Sequence, residues 1–560
     1  MNKRPEFLQF LHTEWVNQQL EQMTLAEKVA QLLHVATWSN RDESHYQSIE
    51  SLIGKYGIGG LTFFQGDPIS QAKLTNRYQA VSKIPLMISI DAEWGLAMRL
   101  NDTVRFPYQM ALGAIQDNTL IYQMGREIGR QCRRLGIHIN FAPDVDINTH
   151  PDNPVIGFRS FGSDKEAVVE KAKAYMEGLQ EETVLAVAKH FPGHGDTHSD
   201  SHFTLPVLTH SRERLEEIEL YPYKKLIPEG IGGIMTAHLH VPAIDPEPDS
   251  AASLSPRITR ELLIDHMGFE GLIITDALDM KGVAAFREAD EVNLMAFLAG
   301  NDIMLFCTDV KGSIEKIIQQ VDAGAVSKIE INRRCRKILA AKYWLGLSHF
   351  EPILLSGLDG YLNNAHSEQL NQRLAAESMT FYSPNASATP VFVQPGEKTA
   401  SLAIFAQKEQ SANQLIHHRF QRTREAAKND PAPLFQRILS QTDIETYTLG
   451  HTFEEEEIAK INTQMAEYDH VVVSLHDMQI KAVEGFGITE NIVKLVDNLS
   501  TSTQISFVLF GSAYALRKFQ SLNHMRSILV AYQETAFTET AAADVLKGNL
   551  IAKGKLPILL

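Results

Sequence analysis

Cysteine is scarce: the chain holds three in 560 residues, Cys132, Cys307 and Cys335. An odd number so widely spaced supports neither a disulfide framework nor a CxxC metal site, and leaves the three as small buried apolar residues. Net positive charge is missing as well. Lysine and arginine number 52 against 68 acidic residues, a formal charge of −16, which repels phosphate backbones and anionic lipid; no local basic patch offsets it. No stretch of about 20 apolar residues exists to span a bilayer. The N-terminus, MNKRPEFLQFLHTEW, lacks the apolar centre of a signal peptide. The chain therefore reads as soluble and, as written, cytoplasmic, although a processed form of a periplasmic or exported protein would look the same. Neither GxxxxGKS/T nor a strand-linked GxGxxG occurs, so nothing argues for a nucleotide, and no cofactor is called for.

What is present fits an ordinary globular protein, with 44% hydrophobic and 21% charged residues. The length suits two or three domains, because one α/β barrel absorbs about 250 residues or more. Eight short apolar runs recur in the first half: QLLHVA (31–36), GGLTFF (59–64), LMISID (86–91), INFAPD (139–144), AVAKHF (186–191), GGIMTAH (232–238), GLIITDAL (271–278) and NDIMLF (301–306). Amphipathic stretches such as TLIYQMGREIGRQCRRLG and DKEAVVEKAKAYMEGLQ separate most of them. Each unit reads as strand then helix, and eight such units predict a (β/α)8 barrel over residues 1–347. A long basic amphipathic helix, SKIEINRRCRKILAAKYWLG, closes it, and a linker is placed at 348–366. From 367 to 560 four further runs, SLAIF, HVVVSL, QISFVLFG and RSILVAY, predict a smaller open α/β sandwich. The run EEEE at 454–457 reads as a solvated helix face.

Polar residues gather where the barrel runs end: Asp91, Asp144, His190, His238 and Asp276. Strand ends form the catalytic face of such a barrel. Taken singly, each residue has a structural reading beside a chemical one. Asp276, in TDALDM, is either a helix N-cap or a carboxylate nucleophile. Asp91, in DAEWG, is either part of a salt-bridged loop with Arg99 or a sugar-binding acid beside an aromatic platform, Trp94. Arg159, in NPVIGFRSFG, is either a binding cation or an ordinary loop arginine.

The stretch KHFPGHGDTHSDSH (189–202) holds four histidines and two aspartates. Its glycines and proline rule out helical i, i+4 metal ligation, so a metal would need these side chains to converge from an irregular backbone. No metal is assigned. Asp200 and His202 stand two apart, a spacing that lets the carboxylate orient the imidazole and favour its protonated form, a proton donor.

Together these motifs resemble glycoside hydrolase family 3, and within it the β-N-acetylhexosaminidases associated with peptidoglycan recycling. The likeness runs from about residue 20 to 345 through DAEWG, NPVIGFRSFG, KHFPGHGDT...DSH, MTAHLHVPAID and TDALDM, and more weakly over 370–560. It implies that Asp276 is the nucleophile, His202 the acid/base and Asp200 its partner. By the same likeness Asp91, Arg99, Arg159, Lys189 and His190 bind the non-reducing N-acetylglucosamine. Two positions depart from the pattern: Trp94 replaces a usual glycine and Ala277 follows the nucleophile. Some chains of this kind continue past the sandwich, so ending at GKLPILL is expected to mark a trimmed or shortened form.

The expected activity is removal of terminal β-linked N-acetylglucosamine with retention. The substrate is a small carbohydrate: an N-acetylglucosaminide, a muropeptide or a chitin oligosaccharide. No nucleic acid or membrane partner is expected, and oligomeric state is not encoded legibly. The alternatives are a β-glucosidase or β-xylosidase of the same family, a phosphorolytic N-acetylglucosaminidase, a metal-dependent hydrolase using the histidine loop, and a non-catalytic sugar-binding protein. His194, Asp196 and His198 are expected only to shape the loop.

Overall fold

The computed structural model describes residues 3–200, 204–284, 287–383, 393, 396–406, 432–450 and 452–560. They form two compact units. One comprises Met1–Phe106, Ile121–Ile147 and Val168–Ser367, the other Pro107–Leu120, Asn148–Ala167 and Glu368–Leu560.

The first unit contains the expected barrel. Its strands are β1 (Leu33–Thr37), β2 (Gly60–Phe63), β3 (Met87–Ile90), β4 (Ile139–Asn140), β5 (Leu185–Phe191), β6 (Gly233–Thr236), β7 (Leu272–Thr275) and β8 (Met304–Leu305). They pair in parallel in the order β7-β6-β5-β4-β3-β2-β1-β8. A parallel bridge between Ile274 and Ile303 joins the two ends, closing the ring. β2, β3, β5, β6 and β7 are buried along their whole length, which is why they read as continuous apolar runs rather than alternating ones.

The intervening helices begin where the sequence supplies caps. Thr24 and Glu27 form a capping box. Asp42 and Asp67 accept from the backbone N–H groups of His45 and Ser70, and Pro68 fills the first turn after Asp67. The closing helix spans Lys328–Trp344, capped by Ser327. Its basic face is not simply solvated. Arg334 donates to the carbonyls of Phe297 and Asn301, Lys337 pairs with Asp302 at 2.7 Å, and Lys342 donates to Gln31 at 2.6 Å. The stretch 348–366 lies against the first unit: Arg134 donates to the carbonyls of Leu354 and Ser356, and Asn76 exchanges two hydrogen bonds with Ile353.

The second unit is built on a six-stranded sheet: β9 (Thr380–Tyr382), β10 (Thr399–Phe405), β11 (Glu445–Leu449), β12 (His470–His476), β13 (Gln504–Leu509) and β14 (Ser527–Val530). Its order is β11-β10-β12-β13-β14-β9, parallel except for β9 against β14. The four central strands are those expected. The two edge strands, β9 and β11, are additions, and they escape notice for a physical reason. β11 reads ETYTL with its residues largely exposed, and an edge strand needs no continuous apolar run. Glu454 and Glu457 cap the helix Glu455–Met465 reciprocally, so the acidic run is a helix start. Among the described residues no helix is long and apolar enough to cross a membrane.

Candidate active site

The barrel's strand ends carry most of the polar residues singled out above. Asp91 directly follows β3. Its carboxylate accepts from Arg99 Nη2 at 2.5 Å and from Lys189 Nζ at 3.0 Å. Lys189, on β5 and only 2% exposed, also meets Glu93 Oε1 at 2.7 Å. Two carboxylates and two cations thus neutralise one another in a largely buried site, the condition under which buried charge is tolerated. Burial alone would raise the Asp91 carboxyl, but Lys189 and Arg99 outweigh it and hold the group well below the usual carboxylate range. The Arg99 guanidinium also lies over the Phe64 ring, 4.3 Å from its centroid. Arg99 is therefore fixed from two sides.

His190 follows Lys189 and is held by β4's continuation. Its Nδ1 meets Asp146 Oδ2 at 2.7 Å, and Asp146 Oδ1 accepts the His194 backbone N–H at 2.7 Å. Burial pushes the Asp146 carboxyl up, while the hydrogen bond and charge of His190 outweigh that and leave it lowered. Asp144 Oδ1 accepts the Asp146 N–H at 2.9 Å, completing a compact acidic support beneath the imidazole.

Asp276 follows β7. Its N–H donates to the Thr236 carbonyl at 2.9 Å, and its Oδ1 accepts the Ala277 N–H at 2.8 Å. The next helix starts only at Lys281, so Asp276 does not cap it. The half-buried carboxylate stands at a strand end instead. Beside it, His238 contacts Ser253 Oγ through Nδ1 at 2.7 Å and the Ala277 carbonyl through Nε2 at 2.8 Å. A ring nitrogen facing a carbonyl must carry a proton, so Nε2 donates to the Ala277 carbonyl.

In the loop after β5, His194 Nδ1 meets Thr197 Oγ1 at 2.7 Å and Asp196 Oδ2 meets His210 Nε2 at 2.6 Å. Gly195 is required by close approach, since a Cβ there would come within 1.9 Å of the Ile147 carbonyl oxygen. Asp200 is half-buried, its carbonyl accepting from Thr204 N–H at 3.1 Å. His202 lies outside the described residues. Arg159 ends the short turn Gly157–Arg159 and belongs to the second unit. Trp94 is 6% exposed; its ring packs inside rather than lying open as a platform.

Of the residues expected at the site, Asp91, Arg99 and Lys189 come together in one bonded group, with His190 next in the chain. Three partners have no specific role in the sequence reading: Glu93 and Asp146, and His238, which it places only at a strand end. The alternation of Asp144 and Asp146 after β4 is a strand-period signal that both acids point the same way. The other two pairings exist only once strands are neighbours.

Among the described residues three clusters have the donor atoms to consider for a metal: Asp144, Asp146 and His190; Asp196, His210 and Glu219; and, in the second unit, His476, Glu534 and Glu539. The first is engaged in the hydrogen bonds just described. In the second, Arg214 already supplies a cation, donating to both Glu219 oxygens at 3.0 Å. In the third, Glu539 Oε2 accepts from the Phe435 N–H.

A closed parallel barrel with acids, a buried lysine and histidines at its strand ends is the layout of a (β/α)8-barrel enzyme. The comparisons make the class specific: residues 24–341 match the model of the glycosyl hydrolase family 3 N-terminal domain, and the chain belongs to that family. A "Beta-hexosaminidase A" of Pseudoalteromonas piscicida is 35% identical over 309 residues, 51% of this chain and 52% of that protein, so the match spans about half of its length. A "Beta-N-acetylglucosaminidase/beta-glucosidase" of Cellulomonas fimi is 26% identical over 385 residues, 67% of this chain and 68% of the other. Among solved structures, a family 3 β-N-acetylglucosaminidase from Paenibacillus sp. str. FPU-7 is similar with a TM-score of 0.78 and 29% identity, covering 96% of this chain and 99% of that one.

Proposed function

We propose that the protein is a retaining β-N-acetylhexosaminidase that removes terminal non-reducing N-acetylglucosamine. The observation that carries the reading is the half-buried Asp276 carboxylate at the end of β7, with its backbone held by Thr236 and the neighbouring Ala277 held by His238. The names of the relatives support the substrate class. In this reading Asp276 attacks the anomeric carbon while His202, oriented by Asp200, protonates the leaving oxygen. A glycosyl-enzyme forms, and water, deprotonated by His202, then releases the sugar with its β configuration. Asp91, neutralised by Lys189 and Arg99, stays ionised and accepts from sugar hydroxyls. Arg99, Arg159, Lys189 and His190 complete the binding of the N-acetylglucosamine. Natural substrates in this reading are muropeptides, as in peptidoglycan recycling, or chitin oligosaccharides.

The test is turnover of nitrophenyl N-acetyl-β-glucosaminide with the product anomer followed directly. Release of the β-anomer, and a loss of roughly 10⁴-fold or more in Asp276→Asn, are the expected results; release of the α-anomer, or an active Asp276→Asn, rejects the reading. The name of the Cellulomonas relative favours a second reading, β-glucosidase activity at the same site. The corresponding glucoside, compared at equal concentration, decides between them. Adding phosphate and looking for a sugar phosphate distinguishes phosphorolysis from hydrolysis.

A further inference from the structure

The loop after β5 leaves the barrel and returns, and the described residues show how its two ends are held. On the outgoing side, His194 N–H donates to Asp146, and His194 and Thr197 bond through their side chains. On the return, Leu208 N–H donates to the His240 carbonyl and His240 N–H to the Pro206 carbonyl, each at 2.9 Å. His210 then precedes Ser211, whose side chain caps the helix Arg212–Glu217. A short side-chain pair joins these two ends: Asp196 Oδ2 and His210 Nε2, 2.6 Å apart and fourteen residues apart in sequence.

Arg214 reinforces the junction. It donates to both oxygens of Glu219 and lies 3.6 Å from Asp196 Oδ2. Glu219 is nearly buried and backs Gly193, where a Cβ would come within 2.7 Å of the Glu219 Cβ. Asp196, His210, Arg214 and Glu219 therefore form a brace at the base of the loop, with the Arg214 guanidinium already set against both carboxylates.

We propose that Asp196 and His210 are positioning residues for proton transfer, tying the base of the excursion so that Asp200 and the residue it orients are presented to the glycosidic oxygen. This rests on the acid/base reading above. Neither residue touches substrate in this scheme; each acts by fixing where the dyad stands, and misplacement on the scale of 1 Å already costs about 100-fold in a positioned reaction. Both side chains are part-exposed, 16% and 31%, so replacing them opens no core cavity.

The experiment measures kcat/KM on two substrates, a dinitrophenyl N-acetyl-β-glucosaminide, whose leaving group needs no proton, and chitobiose, whose leaving group does. Asp196→Asn and His210→Ala are expected to lose about 10- to 100-fold on chitobiose and to keep the parent value on the dinitrophenyl sugar. Azide, which needs no base, should raise kcat on the dinitrophenyl sugar in both variants. His210→Gln, whose amide N–H still donates to Asp196, should recover most of the chitobiose rate. Equal losses on both substrates would indicate a general structural fault and overturn the proposal, as would no loss on either. His202→Ala, measured alongside, keeps the two ideas apart. If it lacks the leaving-group signature, the acid/base reading fails and takes the tie with it; if it alone shows the signature, only the tie is overturned.

Discussion

At the scale of single residues, the site shows how much of an ionisable group's behaviour is decided by its neighbours. Asp91 is largely buried, yet two cations keep it ionised. Lys189→Met removes one of them and leaves burial less opposed, so the Asp91 carboxyl must rise. The expected outcome is a higher KM and an acid limb in the pH profile of kcat/KM that moves to higher pH; an unmoved limb would show that Asp91 does not govern it. His202→Ala should cost about 10²- to 10⁴-fold in turnover of poorly activated substrates, the usual share of general acid/base catalysis. At this scale the sequence was a partial guide. Asp91 and Lys189 stand at strand ends in both readings, but their bond crosses 98 positions of chain, and that between Asp146 and His190 crosses 44. A spacing rule reaches neighbours along a strand or helix; it does not reach across strands.

At the scale of elements, the eight barrel strands and the four central strands of the second sheet were legible because parallel strands buried on both faces must be apolar throughout. β9 and β11 were not, since an edge strand pairs on one side only. The closing helix adds a different lesson. Its charge pattern marked it as amphipathic, whereas Lys342 lies fully buried and burial pushes its amine down to about 7. The unfolded chain binds that proton more tightly than the folded one. The resulting cost is absent above the ordinary lysine value, grows as pH falls toward 7 and is constant below it. Lys342→Met should therefore gain in thermal midpoint over the parent at pH 6–7, with the advantage shrinking between pH 7 and 10. A difference independent of pH would refute the account.

For the whole molecule, acid sensitivity follows from carboxylates on separate elements that share one sign of shift. Asp91 and Asp146 are lowered as described, and Glu330 is brought down to about 2 because Arg333 and Arg334 outweigh its burial. Groups lowered on folding contribute stability that is fully present above their unfolded values and is lost as pH falls through the folded ones. Urea midpoints should begin to decline below about pH 6.5, where the unfolded chain protonates His34, His138 and His470 before the folded one does, and fall most steeply below about pH 4. Glu330→Gln, which cannot take up the proton, should flatten part of that fall.

The three cysteines carry a practical consequence. Each is free and buried, and burial pushes each thiol up to about 12, so almost no thiolate exists at neutral pH to react. A thiol reagent should titrate none of them in the native protein and all three after unfolding. The native background should then be silent to maleimide chemistry. A pair of cysteines introduced on exposed helix faces would take fluorophores or spin labels without first deleting the natural three, which opens the molecule to distance measurements during turnover.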